Sequence, residues 1–229
     1  MNVSAAWEQA ARPTPFYRGC RWVVRCWAKA YLQWRVLHPD RVPPLGPVIL
    51  AANHVSLGDP PLIGSAVPRA VNFLARESLF HSPLFGRLIG SLNAFPVDRD
   101  GGGPGGLRTV LARLEAGGAV LLFPEGTRSS TGELQEARSG IGLVVMRTEA
   151  PVIPIRVFGL YEAWGRHRRF PRPHPIVIKF GAPMKFDCLR AEMATAGKTR
   201  VKAIYQQVSE EIMDAISGLQ PAMDVTEFP

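Results

Sequence analysis

A histidine and an aspartate five residues apart, His54 and Asp59, are the residues of this sequence best suited to acid–base chemistry. If Asp59 accepted a hydrogen bond from one imidazole nitrogen, it would fix the tautomer and leave the other nitrogen free to take a proton. Residues five apart on a continuous α-helix are rotated by about 140°, so the pair can meet only if residues 56–58 form a turn. Alternatively, Asp59 caps a helix that begins at Pro60 and Pro61.

Two apolar runs predict the elements that must position this chemistry. Residues 48–52 form a continuous apolar run, typical of a buried strand, which ends abruptly before His54. A second run, residues 119–123, ends in the polar segment 124–130. Ligands of open α/β sheets bind at the carboxyl ends of strands, so the two runs predict one shared crevice.

The polar segment 124–130 contains residue types that suit an anionic ligand. Gly126 would let backbone amides approach a ligand closely, and Arg128 offers a planar fork for phosphate or carboxylate. The same residues also fit an ordinary turn. The sequence leaves both interpretations open.

Strand-like and helix-like runs alternate along the chain, which predicts a single α/β domain with a mixed, mostly parallel sheet flanked by helices. We expect an N-terminal arm and amphipathic helix in residues 1–44, the main domain in residues 45–219 and a loose tail in residues 220–229. The predicted strands are 48–52, 71–75, 119–123, 152–158 and 176–180, and the predicted helices are 60–66, 79–90, 107–116, 140–148 and 198–217.

The N-terminal segment has a pattern typical of a membrane-surface helix. Residues 16–37 read as one helix after an irregular arm, residues 1–15. Its basic stripe consists of Arg18, Arg21, Arg25 and Lys29, and its apolar side of Cys20, Val23, Val24, Trp27, Tyr31 and Trp34. Cations opposite a Trp-rich face favour the interface of an anionic bilayer. The alternative is an ordinary amphipathic helix packed on the domain.

Composition narrows the classes of partner. The chain of 229 residues is 46% hydrophobic and 20% charged, as expected of a folded globular protein, and its net charge of +8 favours anionic partners. Three scattered cysteines predict neither a disulfide framework nor a zinc site, and they indicate a reducing compartment. No apolar run reaches the ~18 to 20 residues of a membrane span, and no signal peptide is recognisable.

Two loops remain open to interpretation. Residues 166–172 are rich in arginine and could contact phospholipid headgroups or an acidic acyl carrier, or could simply be solvated. Residues 101–106 are rich in glycine but match neither a phosphate-binding loop nor a dinucleotide fingerprint, which favours a hinge or lid.

Four sequence blocks, in order, resemble the glycerolipid acyltransferases, the family that includes 1-acylglycerol-3-phosphate acyltransferase. The segment from His54 to Asp59 resembles the family's H-x-x-x-x-D motif, and residues 95–99 resemble its second motif. Residues 123–128, Phe-Pro-Glu-Gly-Thr-Arg, resemble the third motif, and residues 152–155 the proline-bearing fourth. The resemblance spans roughly residues 45–185.

This resemblance implies a role for each matching residue. His54 would be the general base that takes a proton from an acceptor hydroxyl, and Asp59 would orient it. A phosphate on the acceptor would be held by five residues, since a dianion favours bidentate arginine: Arg99, Glu125, Gly126, Thr127 and Arg128. Backbone amides around Gly126 are candidates for stabilising the tetrahedral oxyanion.

The resemblance also implies the substrates. The acyl donor would be acyl-CoA or acyl carrier protein, as a co-substrate, with no metal and no other cofactor. The acceptor would be a lysophospholipid, 1-acylglycerol 3-phosphate giving phosphatidate in phospholipid biosynthesis, or else another lysolipid or glycerol 3-phosphate. We expect a peripheral or monotopic enzyme on the cytoplasmic face of a membrane, bound through residues 16–37.

Two departures from the family pattern leave the exact acceptor open. After the third motif the family commonly has Phe-Lys-x-Gly, whereas this chain has Ala-Arg-Ser-Gly at residues 137–140. In the second motif, Asp98 and Asp100 flank Arg99. Arginine and lysine are not interchangeable at a shaped site.

Three other classes of protein would explain part of the sequence. A non-catalytic lipid-surface module accounts for the N-terminal helix and the charge, but gives His54 and Asp59 no joint purpose. A metal-dependent phosphatase could use both of these residues with Asp98. A nucleic-acid binder would explain the charge, yet the sequence has no motif or basic-aromatic platform for it, so we expect no nucleic-acid partner.

Overall fold

The computed structural model describes residues 3–97 and 104–222. The described residues form nine α-helices, seven strands and two 3₁₀ helices, at residues 39–41 and 77–80. The helices are α1 (Val3–Ala11), α2 (Pro15–Leu32), α3 (Asp59–Ala66), α4 (Pro83–Ser91), α5 (Pro104–Glu115), α6 (Gly140–Met146), α7 (Leu160–Trp164), α8 (Asp187–Met193) and α9 (Lys198–Gly218). The strands are β1 (Arg35–Leu37), β2 (Val48–Ala52), β3 (Val71–Arg76), β4 (Ala94–Val97), β5 (Ala119–Leu122), β6 (Val152–Phe158) and β7 (Val177–Phe180).

All seven strands belong to one sheet in the order β1-β7-β6-β2-β5-β3-β4. Only β6 and β7 pair antiparallel among the described strands, and the other neighbours run parallel. The prediction of a mixed, mostly parallel α/β sheet is therefore confirmed. β2 lies near the middle, between β5 and β6.

Both faces of the sheet are covered, which explains why β2 has no polar residue. Val48, Leu50 and Ala52 point into a core shared with α2, α3 and α7. Ile49 and Ala51 point into a second core shared with α5, α6 and α9. Successive strand residues alternate between faces, so a strand buried on both sides must be apolar throughout.

The chain leaves β2 and β5 on opposite faces of the sheet. After β2 it enters α3, whose side chains join the first core, and after β5 it continues to α6, whose side chains join the second. Two parallel neighbours whose connections diverge in this way open a crevice at their carboxyl ends. His54 and the segment 124–130 follow these two strand ends.

The N-terminal segment differs from the prediction. Residues 3–11, expected to be irregular, form α1, and the ring of Trp7 covers Gly117 before β5. Gly117 has φ +81°, and a Cβ there would lie 2.2 Å from the Trp7 ring, so the position requires glycine. The contact gives α1 a surface to pack on, which periodicity within the segment cannot reveal.

The single helix predicted for residues 16–37 ends earlier, at Leu32. Gln33 adopts a left-handed conformation with φ 45°, and residues 35–37 then form β1 beside β7. The hydrogen-bonding groups on the edge of β7 favour a strand over a further helical turn. Residues from the segment 1–44 therefore contribute to the sheet.

The basic stripe of α2 is divided rather than exposed along its length. Arg21 donates to the carbonyl oxygen of Val67 (2.9 Å) and Arg25 to that of Ser65 (2.6 Å), both at the carboxyl end of α3. These carbonyls lack partners within α3, so the arginines satisfy them. Only Arg18 and Lys29 of the stripe are exposed, and the prediction of one lipid-facing basic stripe is wrong for the other two.

The face of α2 that points away from the domain is largely apolar. We call it the outer face of α2, and it consists of Phe16, Arg18, Gly19, Trp22, Val23, Cys26, Lys29 and Ala30, all exposed. Trp22 keeps 67% of its surface exposed and Val23 57%. No helix in the described part of the chain is both long enough and apolar enough to span a membrane.

Candidate active site

The end of β2 is locked to its neighbour by the buried side chain of Asn53. Its amide nitrogen donates to the carbonyl oxygen of Val157 (3.2 Å), and its side-chain oxygen accepts from the Val157 N–H (2.8 Å). The Asn53 side chain thus continues the hydrogen bonding of β2 to β6 beyond the last strand residue. This fixes the point at which the chain turns into His54.

His54 and Asp59 meet, as acid–base chemistry requires. The distance from His54 Nδ1 to Asp59 Oδ2 is 2.7 Å. A turn brings them together, closed by the Asp59 N–H donating to the Ser56 carbonyl at 3.4 Å. Asp59 Oδ2 also accepts the N–H groups of Val55 and Ser56, each at 2.8 Å. The carboxylate therefore shapes the loop that carries the histidine.

Asp59 does not act as the predicted helix cap. Gly58 occupies the N-cap position, and Asp59 is the first residue of α3. The Asp59 carboxylate turns back toward the loop and away from the first turn of the helix. Pro60 and Pro61 explain this, because neither has an N–H group for a capping carboxylate to accept.

The His54 ring is held from two sides. It stacks on Phe123 with the ring centroids 3.8 Å apart and the planes inclined by 14°. Asp59 is fully buried and accepts at Oδ2, so Nδ1 of His54 carries the proton in the neutral ring and Nε2 carries the lone pair. The His54 side chain is 18% exposed, and Nε2 hydrogen-bonds to no residue that the structure describes. The arrangement orients a base toward the crevice.

Glu125 uses both carboxylate oxygens within the protein. Oε1 accepts the backbone N–H of His54 at 3.1 Å, and Oε2 accepts from Nε2 of Gln135 at 2.7 Å. Burial raises the pKa of Glu125, and the hydrogen bonds from His54 and Gln135 oppose that shift. Glu125 thus joins the two loops on either side of the crevice.

Gly126 is required by the local backbone and by a neighbour. Its φ is +69°, and a Cβ at this position would lie 2.9 Å from Cδ of Arg138. The Arg138 N–H donates to the Pro124 carbonyl at 2.9 Å, which holds the arginine over the turn. Arg138, where the family commonly has lysine, therefore lies directly against the third motif.

The Gly126 amide is already used in this turn. Its N–H donates to the carbonyl oxygen of Phe123 at 3.0 Å. In the described part of the chain the N–H of Thr127 makes no hydrogen bond. Among the amides expected around Gly126 for an oxyanion, that of Thr127 is therefore a candidate to bind a ligand.

Of the two arginines predicted to bind phosphate, the structure describes Arg128, which lies beside the crevice. Arg128 is partly buried, and its carbonyl oxygen accepts from Nη1 of Arg166 at 3.5 Å. Arg99, with Asp98 and Asp100, lies outside the residues that the structure describes. Within the described ranges no group of three or more histidine, cysteine, aspartate or glutamate side chains is placed to hold a metal ion.

Three contacts of the site were missed by sequence reasoning. Phe123 stacks on His54, Gln135 holds Glu125, and the carbonyl of Trp164 accepts from the Ser56 hydroxyl at 2.6 Å. Phe123 directly precedes the polar segment 124–130, so its position in the sequence could have indicated that it lies at the site. Gln135 and Trp164 are distant in sequence from their partners, and no spacing connects them.

Relatives of known name share the region of this site. A 1-acyl-sn-glycerol-3-phosphate acyltransferase of Cocos nucifera is 30% identical over 160 residues, covering 69% of this chain and 52% of the relative. One of Bacillus subtilis is 28% identical over 121 residues, covering 52% of this chain and 60% of the relative. The chain thus spans about half the length of the curated relatives it matches.

A solved structure shares the fold, and a family model matches the sequence. The crystal structure of the 1-acyl-sn-glycerophosphate acyltransferase from Thermotoga maritima aligns with a TM-score of 0.69 at 21% identity, covering 89% of this chain and 80% of that one. The family model named Acyltransferase matches residues 33–158, more than half of the chain, and includes both strand ends of the crevice. The chain therefore belongs to the Acyltransferase family.

Proposed function

We propose that this protein transfers a fatty acyl group from an acyl thioester to the hydroxyl of a lysophospholipid, with 1-acylglycerol 3-phosphate as the acceptor and phosphatidate as the product. The observation that carries the proposal is the hydrogen-bonded pair of His54 and Asp59 in the crevice beside the third motif. The named relatives support the choice of acceptor, since they are 1-acyl-sn-glycerol-3-phosphate acyltransferases.

In this mechanism Nε2 of His54 takes the proton of the acceptor hydroxyl as the oxygen attacks the thioester carbonyl. The new C–O bond gives a tetrahedral intermediate with a negative oxygen. Its collapse breaks the C–S bond, and the His54 imidazolium returns the proton to the leaving sulfur, so the products are an ester and a free thiol. Asp59 stabilises the imidazolium through Nδ1–H. General-base help of this kind contributes roughly 100- to 10,000-fold.

The third motif would bind the acceptor phosphate. Thr127 and Arg128 lie on the turn that faces the crevice, and we assign them, with the turn at Gly126 and with Arg99, to this phosphate. Arg138 packs over Gly126 and adds a second guanidinium on the same turn. A planar guanidinium suits a phosphate because it can donate two parallel hydrogen bonds.

We propose a positioning role for Glu125 in place of the phosphate contact implied by family resemblance. Both of its carboxylate oxygens are engaged by His54 and Gln135. A carboxylate would also repel a phosphate dianion at close range. Glu125 would therefore act by holding the backbone of His54 in register with the third motif.

The proposed enzyme works at a membrane surface without a metal or other cofactor, using acyl-CoA or acyl carrier protein as the donor. The outer face of α2 would lie in the bilayer interface, with Arg18 and Lys29 near the headgroups. We assign the protein to the cytoplasmic face as a peripheral or monotopic enzyme. Residues 45–219 would form the acyltransferase domain, preceded by the membrane-binding segment.

The test is thiol release from an acyl thioester, measured with a panel of lysolipids and glycerol 3-phosphate. We expect release that depends on 1-acylglycerol 3-phosphate and is abolished in His54→Ala. His174→Ala serves as the control, since the His174 ring hydrogen-bonds to the adjacent Pro175 carbonyl, and this change should leave release unchanged. Full activity in His54→Ala would refute the assignment of the base.

Other outcomes would support the alternative classes. Release promoted only by glycerol 3-phosphate or another lysolipid would keep the reaction and change the acceptor. Loss of activity upon chelation would favour a metal-dependent phosphatase. Vesicle binding without thiol release from any acceptor would favour a non-catalytic lipid-binding module.

A further inference from the structure

The arginine loop, residues 166–172, carries half of the formal net charge of the chain in seven residues. Its four arginines contribute +4 of the total of +8, and no acidic residue occurs between Glu162 and Asp187. Phe170 lies among these arginines with 72% of its surface exposed. An exposed aromatic ring surrounded by cations matches the two components of a bilayer surface, an apolar interior below anionic headgroups.

The loop is held in shape at its base, unlike a simple solvated run. The Arg168 N–H donates to the Gly165 carbonyl (2.9 Å), and the Arg172 N–H donates to the Ala163 carbonyl (2.9 Å). Arg172 Nε also donates to the Glu162 carbonyl at 2.9 Å. Between these contacts Arg169 and Phe170 project together, with the Arg169 guanidinium 5.4 Å from the Phe170 ring centre. The backbone thus presents one aromatic ring and one cation on a partly preorganised loop, which lowers the entropic cost of binding.

The base of the loop touches the catalytic loop and the third motif. Gly165 forms a β-bridge with Ser56, which lies between His54 and Asp59. Arg166 donates to the Arg128 carbonyl. Whatever surface the loop binds is therefore brought to the mouth of the crevice.

The loop is also joined to α2. The Tyr31 hydroxyl, near the end of the helix, donates to the Pro171 carbonyl at 3.2 Å. Tyr31 is itself 37% exposed, so the loop adjoins the exposed end of α2. This continuity favours a single extended surface, such as a bilayer, over a compact protein partner.

We propose that the arginine loop is a second membrane contact, in which Phe170 inserts among the acyl chains and the arginines bind anionic lipid headgroups. This inference rests on the proposed function and deepens it. The loop follows β6, which lies on the other side of β2 from β5, so it would bring a lipid-borne acceptor to His54 from that side. The ligand class is an anionic phospholipid surface.

The test is the association of the full chain with phosphatidylglycerol vesicles and with phosphatidylcholine vesicles. Arg169→Glu should weaken binding to the anionic vesicles by roughly tenfold, since one basic residue near such a surface contributes on that order. Phe170→Ser should weaken binding to both kinds of vesicle. Lys202→Glu, the same charge change at an exposed position on α9, is the control and should bind as the unmodified protein does.

Three results would overturn the proposal. Equal weakening by Arg169→Glu and Lys202→Glu would show that net charge alone matters. Unchanged binding in both loop variants would remove the loop from the membrane contact. If Arg169→Glu slowed transfer only from acyl carrier protein and left vesicle binding intact, the partner of the loop would be that acidic carrier.

A second measurement separates this inference from the proposed reaction. With the acceptor in vesicles, Phe170→Ser should lower acyl transfer, whereas transfer to a dispersed short-chain acceptor should remain unchanged. Equal loss with both acceptors would place the loop in the chemistry or the fold and contradict the inference. Vesicle binding is measured without turnover, so weaker binding of the loop variants would support the membrane contact even if no acyl transfer were found.

Discussion

At the level of single residues, Asp59 directs its hydrogen bonds through one oxygen. Oδ2 accepts three donors, whereas Oδ1 is buried and has no hydrogen-bond partner among the described residues. An unpartnered buried oxygen keeps negative charge next to His54 without hydrogen-bond stabilisation. In the proposed mechanism this carboxylate orients the imidazole and stabilises the imidazolium that forms on proton transfer.

We expect Asp59→Asn to separate these two contributions. The amide oxygen can take the place of Oδ2 and accept the same three donors, and the amide nitrogen can occupy the position of Oδ1. The charge that stabilises the imidazolium is lost, so kcat should fall by about 100- to 10,000-fold. Steady-state kinetics with circular dichroism would check this, with the exposed Asp187→Asn as the control. An unchanged kcat would mean that orientation alone matters.

Glu125 makes a prediction about the pH dependence of stability. Burial raises its pKa in the folded protein above its ordinary value of 4.5. Its contribution to the free energy of unfolding is thus fully present below pH 4.5 and is lost as the pH rises through the folded-state pKa. Glu125→Gln removes this loss, so the stability of the variant relative to the unmodified protein should improve as the pH rises from 4 toward neutrality.

Urea denaturation of both proteins over a series of pH values would measure that difference. The exposed Glu136→Gln controls for removing one carboxylate from the same region. A stability difference that stays constant with pH would show that the hydrogen bonds from His54 and Gln135 balance burial, and one that moves the other way would show that they outweigh it.

At the level of elements, α2 has two faces with different partners. On the inner face, Arg21 and Arg25 donate hydrogen bonds to carbonyl oxygens at the carboxyl end of α3. On the outer face, Trp22 and Val23 are exposed. Apolar side chains of α2 lie on both sides of the helix, since Ala28 and Leu32 join the core while Trp22 and Val23 stay exposed. Periodicity identified two faces but could not decide which one meets the domain.

Substitutions on the two faces of α2 should therefore affect different properties, vesicle binding on the outer face and stability on the inner face. Val23→Glu places a charge at the centre of the exposed apolar surface, so it should weaken vesicle binding several-fold while leaving the thermal midpoint unchanged. Arg25→Ala leaves a carbonyl of α3 without its donor, so it should lower the free energy of unfolding by about 1 to 3 kcal/mol. Vesicle flotation and thermal unfolding measure the two effects. If Arg25→Ala affected only vesicle binding, the assignment of faces would be wrong.

At the level of the whole molecule, Arg69 hydrogen-bonds to loops at the amino ends of the central strands, whereas the site lies at their carboxyl ends. The buried guanidinium donates to the carbonyl oxygens of Pro43 (3.0 Å), Gly46 (2.8 Å) and Gly117 (2.6 Å). Gly46 and Gly117 shortly precede β2 and β5, so one side chain joins the loops that lead into these two strands. Burial lowers the pKa of Arg69 to about 10, which leaves it charged at neutral pH.

Arg69→Lys tests this role while keeping the charge. A single ammonium group cannot span three carbonyls, so the free energy of unfolding should fall by about 2 to 4 kcal/mol. Below its thermal midpoint the variant should retain kcat, because Arg69 and His54 lie at opposite ends of the central strands. Denaturant unfolding and kinetics on the same sample provide the check, and Arg147→Lys, at an exposed arginine, is the control. If Arg69→Lys were as stable as the unmodified protein, the three hydrogen bonds of the guanidinium would not be needed for stability.

Local sequence predicted most of the described fold because strands buried on both faces are apolar throughout. Residues 48–52 and 152–158 were predicted with the bounds that the structure has. The short helices α7 and α8 were missed, since five and seven residues carry too little periodicity to detect. The helix α1 and the strand β1 were also missed, because each depends on a partner far along the chain.

The sequence by itself determined the chemistry of this protein: a histidine and an aspartate after one buried strand, and a glycine and arginine turn after another. These are local patterns, and residue type and spacing are enough to state them. Only the tertiary structure decided which groups those residues use. The parallel pairing of β2 and β5 allowed both oxygens of Glu125 to find partners within the protein, and the packing of α2 on α3 left Trp22 and Val23 exposed. Such outcomes depend on contacts between distant segments, which spacing along the chain does not encode.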